Sequence, residues 1–325
     1  MPIPRLSALI LLMVCSLASV TTYAGYEERE EVKAFIDMMA DKHNYDRAML
    51  TEWFRKAVKQ EATIKSLDKP AESMSWHRYR KIFMTEKRTN KGVEFWQANR
   101  ETLERAEATY GVPPEIITAI IGVETFYGQY KGKFPVFDTL TTIAFDYPKR
   151  GSFFKKELEQ YLLLIREEKL DAYTLKGSYA GALGKPQFIS SSYRNFAVDF
   201  DGDGKRDLLN NTVDAIGSVA NYFKAHNWKP GKPVTVTANY KSNKKFAEYD
   251  MKPKYSISEL SAQGVFPSQP VLSSALATPI QLEQADHMEY WMGLHNFYVI
   301  TRYNHSNLYA MAVHQLSQSI KQGIH

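Results

Sequence analysis

One carboxylate stands near the end of an almost wholly apolar segment of the sequence. The segment 114–128 is rich in isoleucine and carries Glu124 close to its end. A helix that is apolar all round is buried, and burial together with the negative end of the helix dipole raises a carboxyl pKa. A carboxylic acid that stays protonated near neutral pH suits a general acid at a glycosidic oxygen. The alternative is a glutamate that emerges into solvent where its helix ends.

Two further segments carry side chains that suit a sugar ligand. The glycine-rich segment 177–188 lets backbone approach a ligand closely, and Ser178 and Gln187 offer hydrogen bonds. Near the end of the chain, an aromatic and amide-rich patch comprises Tyr298, Tyr303, Asn304, His305 and Tyr309. Aromatic faces and amides are typical of carbohydrate sites. The alternatives are a tight turn for the first segment and ordinary core packing for the second.

The segment 199–210 follows the template of an EF-hand calcium loop at positions 1, 3, 5 and 6. Its carboxylates belong to Asp199, Asp201, Asp203 and Asp207. Gly204 permits the sharp turn, and Lys205 would contribute its backbone carbonyl. Asn210 stands where the template has a bidentate glutamate, so we expect Asp214 to complete the shell. Because four nearby aspartates repel one another unless neutralised, we predict structural Ca²⁺; the alternative is an acidic turn without metal.

The elements that must position these groups are mainly helical. A chain of 325 residues with 44% hydrophobic residues suggests about two domains and an ample core. Alternating apolar residues at 234–239 predict a strand within a small basic insertion at 233–270. The fold class is therefore mainly α, of the α+β type. Helical spacing and boundary signals predict helices within 27–60 and at 91–110, 114–128, 135–145, 152–167, 189–197, 213–226, 279–295 and 305–320.

Residues 1–24 have the pattern of a secretory signal peptide, with Arg5, an apolar run and Ala24 before the predicted cleavage point. Cys15 is the single cysteine, which excludes an intrachain disulfide and a cysteine metal cluster. Cys15 also lies in a sequence loosely similar to a bacterial lipobox. Three cellular locations remain open: a soluble periplasmic protein, an outer-membrane lipoprotein anchored through Cys15, and a protein held by an uncleaved anchor. The net charge of +5 is too small for a dedicated nucleic-acid binder.

Taken together, these segments resemble the lytic murein transglycosylase B family of bacterial envelope enzymes. The resemblance covers most of the chain in the right order, at 121–128, 145–150, 177–188, 198–204, 214–226 and 297–305. It implies a lysozyme-like helical core, an additional α region, a small β region and one EF-hand-like Ca²⁺ site. The layout expected from it is a signal peptide at 1–24, a helical region at 25–110, a catalytic core at 111–232 with the calcium loop at 199–214, a β insertion at 233–270 and a helical segment at 271–325 that completes the cleft.

The resemblance also implies the chemistry. The family cleaves the β-1,4 bond between N-acetylmuramic acid and N-acetylglucosamine and leaves a 1,6-anhydro ring, with Glu124 as the single acid/base. The positions that match the lining of the family's sugar cleft are Ser178, Gln187, Tyr222, Tyr303, Asn304 and Tyr309. The pairs Lys185-Pro186 and Ile189-Ser190 depart from the usual family pattern and bear on the shape of the subsites. The implied partners are peptidoglycan strands and proteins of cell-wall synthesis or division.

Two other functions remain open from the sequence. A muramidase that consumes water would use Glu124 together with a second carboxylate, Asp138 or Asp146. The second is a calcium-stabilised, non-catalytic module that binds peptidoglycan or serves as a scaffold.

Overall fold

The computed structural model describes residues 25–68, 74–242, 246–247 and 249–324. The predicted signal peptide at 1–24 lies outside the described residues, as do Lys244 and Lys245 of the basic insertion. The chain divides into two compact units between Ala57 and Val58. Within the described ranges, no helix combines the length and the apolar character needed to cross a membrane.

The first unit is helical, as its spacing predicts. A short 3-10 turn (Tyr26–Glu28) precedes α1 (Glu30–His43) and α2 (Arg47–Lys56). The side chains of α1 that recur at helical spacing are buried, and the rings of Phe35 and Phe54 meet edge to face at 5.9 Å. These contacts form the small core of the unit.

The second unit contains the remaining helices. In chain order they are α3 (Glu61–Leu67), α4 (Trp76–Phe83), α5 (Glu86–Ala98), α6 (Arg100–Tyr110), α7 (Pro114–Thr125), α8 (Val136–Asp146), α9 (Gly151–Glu167), α10 (Ser190–Phe196), α11 (Thr212–Ala225), α12 (Ile257–Ala262), α13 (His295–Tyr303) and α14 (Asn307–Ile324). The helix predicted at 91–110 is in fact two helices, because the chain turns at Asn99. Helix α6 ends at Gly111 in the left-handed conformation, as the sequence predicts.

Helix α7 lies in the middle of this unit, packed against α5, α6, α11 and α14. All of its residues except Glu124 are buried, which confirms the prediction from its apolar sequence. Proline at the first position of α7 starts the helix without the loss of a hydrogen bond.

The strands form two antiparallel sheets. A two-stranded sheet pairs β1 (Phe134–Pro135) with β2 (Lys176–Gly177). The larger sheet has the order β4-β6-β7-β3-β5. Its strands are β3 (Thr235–Tyr240), β4 (Tyr255–Ser256), β5 (Val265–Pro267), β6 (Leu276–Glu283) and β7 (Met288–Gly293).

The helix predicted at 279–295 is wrong. That stretch contains most of β6 and all of β7, which pair with Ile280 opposite Trp291. The β region therefore continues to Gly293, past the predicted boundary at 270, and the segment 271–325 is helical only from His295 onward. Two features in the sequence favour strands here: Pro279 cannot donate within a helix, and Ile280 and Leu282 alternate with polar residues.

Candidate active site

Glu124 lies in the last turn of α7, where the helix ends abruptly. Phe126 and Tyr127 both adopt left-handed backbone conformations, with φ of 51° and 60°. Their amides donate to the carbonyls of Gly122 and Ile121 at 3.1 and 3.2 Å, which closes the helix end. Glu124 is the only residue of α7 that is partly exposed, so it carries the one side chain of this helix that solvent reaches.

The carboxylate of Glu124 accepts a hydrogen bond from the Tyr309 hydroxyl, whose oxygen lies 2.6 Å from Glu124 Oε1. Tyr309 is 2% exposed and belongs to α14. Burial raises the pKa of Tyr309 well above its usual value, and the negative charge of Glu124 raises it further. Tyr309 is therefore a neutral, permanent donor that fixes one oxygen of the carboxylate.

Two more predicted residues join this cluster through their rings. The rings of Tyr222 and Tyr303 lie 4.8 Å apart, and Tyr303 stacks on Tyr309 with 6.4 Å between centroids. The Tyr303 hydroxyl donates to the carbonyl of Pro186 at 2.6 Å, and the Tyr222 hydroxyl donates to the carbonyl of Arg302 at 2.5 Å. Both hydroxyls thus bond to backbone carbonyls. The rings of Tyr222, Tyr303 and Tyr309 form an aromatic wall beside Glu124.

The predicted polar residues of the glycine-rich segment mostly bond within the segment itself. Ser178 Oγ accepts from the amides of Ala180 and Ala182 at 3.2 and 3.0 Å. Gln187 has a left-handed backbone, and its Nε2 donates to the carbonyls of Gly184 and Lys131 at 2.9 and 3.2 Å. These groups therefore shape the loop. The segment therefore contains a tight turn, which the sequence leaves open as the alternative.

Asn304 lies in the short connection between α13 and α14, next to Tyr303. Its carbonyl accepts the amide of Ser306 at 2.7 Å, which turns the chain into α14. Asn304 thus lies at the joint between the two helices that supply Tyr303 and Tyr309.

Two residues that sequence reasoning missed hold the end of α7. The guanidinium of Arg88 donates to the carbonyl of Gly122 and lies 4.9 Å from the centre of the Phe126 ring. Burial lowers the pKa of Arg88. Thr125, the neighbour of Glu124, donates from Oγ1 to the carbonyl of Lys185 at 2.8 Å. Both contacts join distant parts of the chain, so no local pattern predicts them.

The aspartate loop is a separate feature. One carboxylate oxygen from each of Asp199, Asp201 and Asp203 lies within 4.8 Å of the others, and all three side chains are exposed. Asp199 also accepts the amides of Gly202 and Gly204 at 2.7 and 2.8 Å, so the backbone is wrapped around its carboxylate. A group of close carboxylate oxygens is the donor set that Ca²⁺ prefers.

Asp214, expected to complete this shell, lies outside the three-carboxylate group. It is fully buried, and its two oxygens accept the amides of Phe200 and Asp207, each at 2.8 Å. Asp214 lies in the first turn of α11 and holds backbone near both ends of the loop. Lys205 lies two residues after Asp203, and its amide donates to Asp203 at 2.9 Å.

Asp138, a candidate for a second catalytic carboxylate, is engaged by a different part of the chain. Its oxygens accept the amide of Val58 at 3.2 Å and the side-chain amide of Gln60 at 3.4 Å. Burial raises its pKa. Asp138 thus joins α8 to the segment before α3. Asp146, the other candidate, is the last residue of α8 and is half-buried.

Comparisons with known proteins identify what this arrangement resembles. The family model described as a transglycosylase SLT domain matches residues 27–318. The membrane-bound lytic murein transglycosylase B of Escherichia coli (strain K12) is 45% identical over 305 residues, which cover 91% of this chain and 84% of that protein.

Solved structures show the same fold. Escherichia coli Slt35 in complex with calcium matches with a TM-score of 0.84 and 46% identity, covering 91% of this chain and 94% of that chain. SltB3 from Pseudomonas aeruginosa in complex with NAG-NAM-pentapeptide matches with a TM-score of 0.78 and 28% identity, covering 91% of this chain and 80% of that chain.

Proposed function

This chain belongs to the lytic murein transglycosylase B family, and on that basis we propose that Glu124 is its single catalytic acid/base. The protein is a lytic transglycosylase, and its substrate is peptidoglycan. The observation that carries the assignment of Glu124 is its hydrogen bond from Tyr309 at the one partly exposed position of α7. A hydrogen bond from a neutral donor orients the carboxylate without neutralising it, so that it can exchange a proton with a sugar.

The proposed reaction needs one carboxyl group and no water. The acid form of Glu124 gives its proton to the oxygen of the β-1,4 bond, and the bond from that oxygen to C1 of N-acetylmuramic acid breaks. The carboxylate then takes the proton of the C6 hydroxyl, whose oxygen bonds to C1 and closes the 1,6-anhydro ring. The N-acetyl group of the substrate stabilises the positive charge at C1 between the two steps. A two-carboxylate hydrolase instead needs a second acid to handle water.

The sugar cleft is proposed to lie between the core and the C-terminal helices. Tyr222 of α11, Tyr303 of α13 and Tyr309 of α14 converge beside Glu124, and aromatic faces suit sugar rings. We assign Ser178 and Gln187 to the backbone that borders this cleft, with the Gln187 amide oxygen as an acceptor for a sugar hydroxyl. Asn304 contributes its amide at the joint between α13 and α14.

Substitution of Glu124 tests the assignment by clearance of purified sacculi. We expect Glu124→Gln to lower the rate about 1,000-fold, because an amide cannot transfer the proton. Its melting temperature stays near that of the parent protein, because Glu124 is partly exposed.

Two matched carboxylate variants serve as controls. We expect Asp138→Asn to remain active, since its contacts lie in the packing of α8, and Glu115→Gln to remain active while its stability falls. Clearance by Glu124→Gln at the parent rate would overturn the assignment. A loss of clearance in Asp138→Asn as large as that in Glu124→Gln would instead favour a muramidase with two carboxylates.

We propose that the aspartate loop holds a structural Ca²⁺ ion. The ligands assigned are the carboxylates of Asp199, Asp201 and Asp203 and the backbone carbonyl of Lys205. Asp214 acts indirectly, by holding the backbone amides of Phe200 and Asp207 within the loop. The close oxygens support this assignment, and so does the calcium complex of Slt35. The ion would neutralise the repulsion among the three carboxylates.

Melting curves test the calcium site. At a calcium concentration 100 times its Kd, binding stabilises the folded chain by about 2.7 kcal/mol, so EGTA lowers the melting temperature. Asp203→Asn removes this difference. In EGTA it melts no lower than the parent chain, because one repelling charge is gone. Asp286→Asn, at an exposed site in the β region, keeps the full calcium effect. Identical parent curves in calcium and in EGTA would contradict the site.

We propose that the protein works at the cell envelope, outside the inner membrane. The apolar run near the start of the sequence and the membrane-bound relative support this address. Anchoring through Cys15 to the outer membrane is the finer form of the proposal. Proteins of cell-wall synthesis or division are the proposed partners, on the basis of the shared substrate.

A further inference from the structure

Two lysines join the exit of the aspartate loop to the active-site end of α7. Three successive backbone carbonyls form the exit of the loop, at Leu208, Leu209 and Asn210. The amide of Lys185 donates to the carbonyl of Leu208 at 2.9 Å, and its ammonium group donates to the carbonyl of Asn210. Lys131 donates from Nζ to the carbonyl of Leu209 at 2.7 Å. Each of the three carbonyls is therefore held by one of the two lysines.

The same Lys185 contacts the turn that follows Glu124. Its carbonyl accepts the Thr125 hydroxyl at 2.8 Å, and that hydroxyl oxygen in turn accepts the amide of Gly128 at 2.9 Å. The aliphatic stem of Lys185 lies along Gly128, where an added Cβ would be 3.3 Å from Lys185 Cε. Only Lys185 and Thr125 separate the carbonyl of Leu208 from Glu124.

The two lysines also reach the aromatic wall and the glycine-rich loop. The carbonyl of Lys131 accepts the side-chain amide of Gln187 at 3.2 Å. Pro186, next to Lys185, accepts the Tyr303 hydroxyl at 2.6 Å. A shift of the loop exit therefore moves backbone that Glu124, Gln187 and Tyr303 all depend on.

The loop exit is tightly coupled to the aspartates themselves. Asp207 accepts the amides of Leu209 and Asn210, both at 2.9 Å. The amide of Asp207 donates to Asp214, which also holds the amide of Phe200 within the aspartate segment. Side-chain bonds thus hold the backbone at points from the aspartates to the three carbonyls.

We propose that Lys185, assisted by Lys131, is a positioning residue that transmits calcium binding at the aspartate loop to the turn after Glu124. The inference rests on the proposed calcium site and deepens the proposed function. Lys185 transfers no proton and touches no sugar in this account. Its role is to keep Thr125, and with it Glu124, in place when the loop is filled.

Hydrogen exchange measured by mass spectrometry tests the inference without any substrate. The full chain is stripped with EGTA and compared before and after addition of CaCl₂. We expect calcium to slow exchange about fivefold or more in peptides covering 121–130 and 184–189, as well as in the loop at 199–214. Lys185→Met keeps the stem and the two backbone bonds but loses the ammonium, so the slowing at 121–130 and 184–189 is weakened while the slowing at 199–214 persists. The control is Lys133→Met, an exposed lysine two residues after Lys131, which is expected to behave as the parent chain.

The opposite exchange pattern overturns the inference. Slowing confined to 199–214 in the parent chain, no slowing anywhere, or a parent-like pattern in Lys185→Met would each do so. Lys131→Met provides a second variant and is expected to weaken the slowing at 184–189. Failure of the proposed function would give a different result. The chain would show the expected exchange pattern but release no product from peptidoglycan.

Kinetics on soluble glycan strands separate positioning from general stability. At saturating calcium we expect Lys185→Met to lower kcat about tenfold and to raise KM by a smaller factor, because the misplaced Glu124 slows the chemical step while Gln187 and Tyr303 still border the cleft. Lys185→Arg keeps a cation at the carbonyls and is expected to restore most of kcat. An unchanged kcat in Lys185→Met, or an equal loss in Lys185→Arg, would contradict the positioning role.

Discussion

Helix α7 carries two glutamates whose surroundings give them opposite uses. Glu115 is in the first turn, 7% exposed, and pairs with Lys321 at 2.7 Å. Glu124 is about 13 Å further along the helix axis and accepts from the neutral Tyr309 at 2.6 Å. Both partners belong to α14, so the same pair of helices supplies a cation at one end and a phenol at the other.

The helix dipole sharpens this difference. A negative charge is stabilised at the start of a helix, and a positive charge is stabilised at the end of one. Glu115 and Lys321 both occupy favourable ends, and they form an ion pair that fixes the packing of α7 against α14. Glu124 occupies the unfavourable end, where the ionised form gains nothing from the dipole. The position in the helix, rather than the residue type, separates the ion-paired carboxylate of Glu115 from the carboxylate that we propose as the acid/base.

Near Glu115, burial acts on a further ionisable group of α14. His314 bonds to Thr235 of β3 at 2.9 Å, and burial lowers its pKa to about 4 from its usual 6.5. Between these two pH values the unfolded chain takes up a proton that the folded chain does not. The stabilising contribution is therefore complete above pH 6.5 and falls by about 3 kcal/mol in all as the pH drops through 4.

Urea unfolding between pH 7 and pH 4 measures the effect of His314. We expect His314→Gln to lose stability less steeply with falling pH than the parent chain, while His305→Gln, at an exposed site, keeps the parent slope. If His314→Gln also kept the parent slope, burial of His314 would not control its charge.

At the catalytic end, Tyr309→Phe removes the donor without changing the ring. A hydrogen bond to an ionised group contributes about 1.4 kcal/mol or more, so we expect kcat to fall about tenfold. The rate of product release from sacculi measures it, and Tyr240→Phe in the β region serves as the control. A parent-like rate in Tyr309→Phe would mean that the phenol does not orient Glu124.

Features encoded by local spacing are the ones that the sequence predicts well. The apolar residues of α7 require burial on every side, so the helix and the special position of Glu124 follow from one segment. The aspartates that approach one another at 199–203 follow from their alternate spacing. The strand at β3 shows the expected alternation.

Features that depend on distant contacts are missed. The helix predicted at 279–295 is wrong because β6 and β7 pair with each other, a contact that outlines strands more clearly than Pro279 and the short alternation at 280–283 do. The engagement of Asp214 by two backbone amides follows from the orientation of α11, which spacing does not specify. Arg88 and Lys185 donate to backbone carbonyls. Every residue has a backbone carbonyl, so the sequence does not indicate which one a side chain will bind.

The central claim is that Glu124 completes the reaction alone, without water. Digestion of purified sacculi in H₂¹⁸O, followed by mass spectrometry of the released fragments, tests it most directly. We expect 1,6-anhydromuramic acid ends that carry no ¹⁸O from the solvent. Reducing muramic acid ends that contain ¹⁸O would contradict it and show a hydrolase with a second carboxylate.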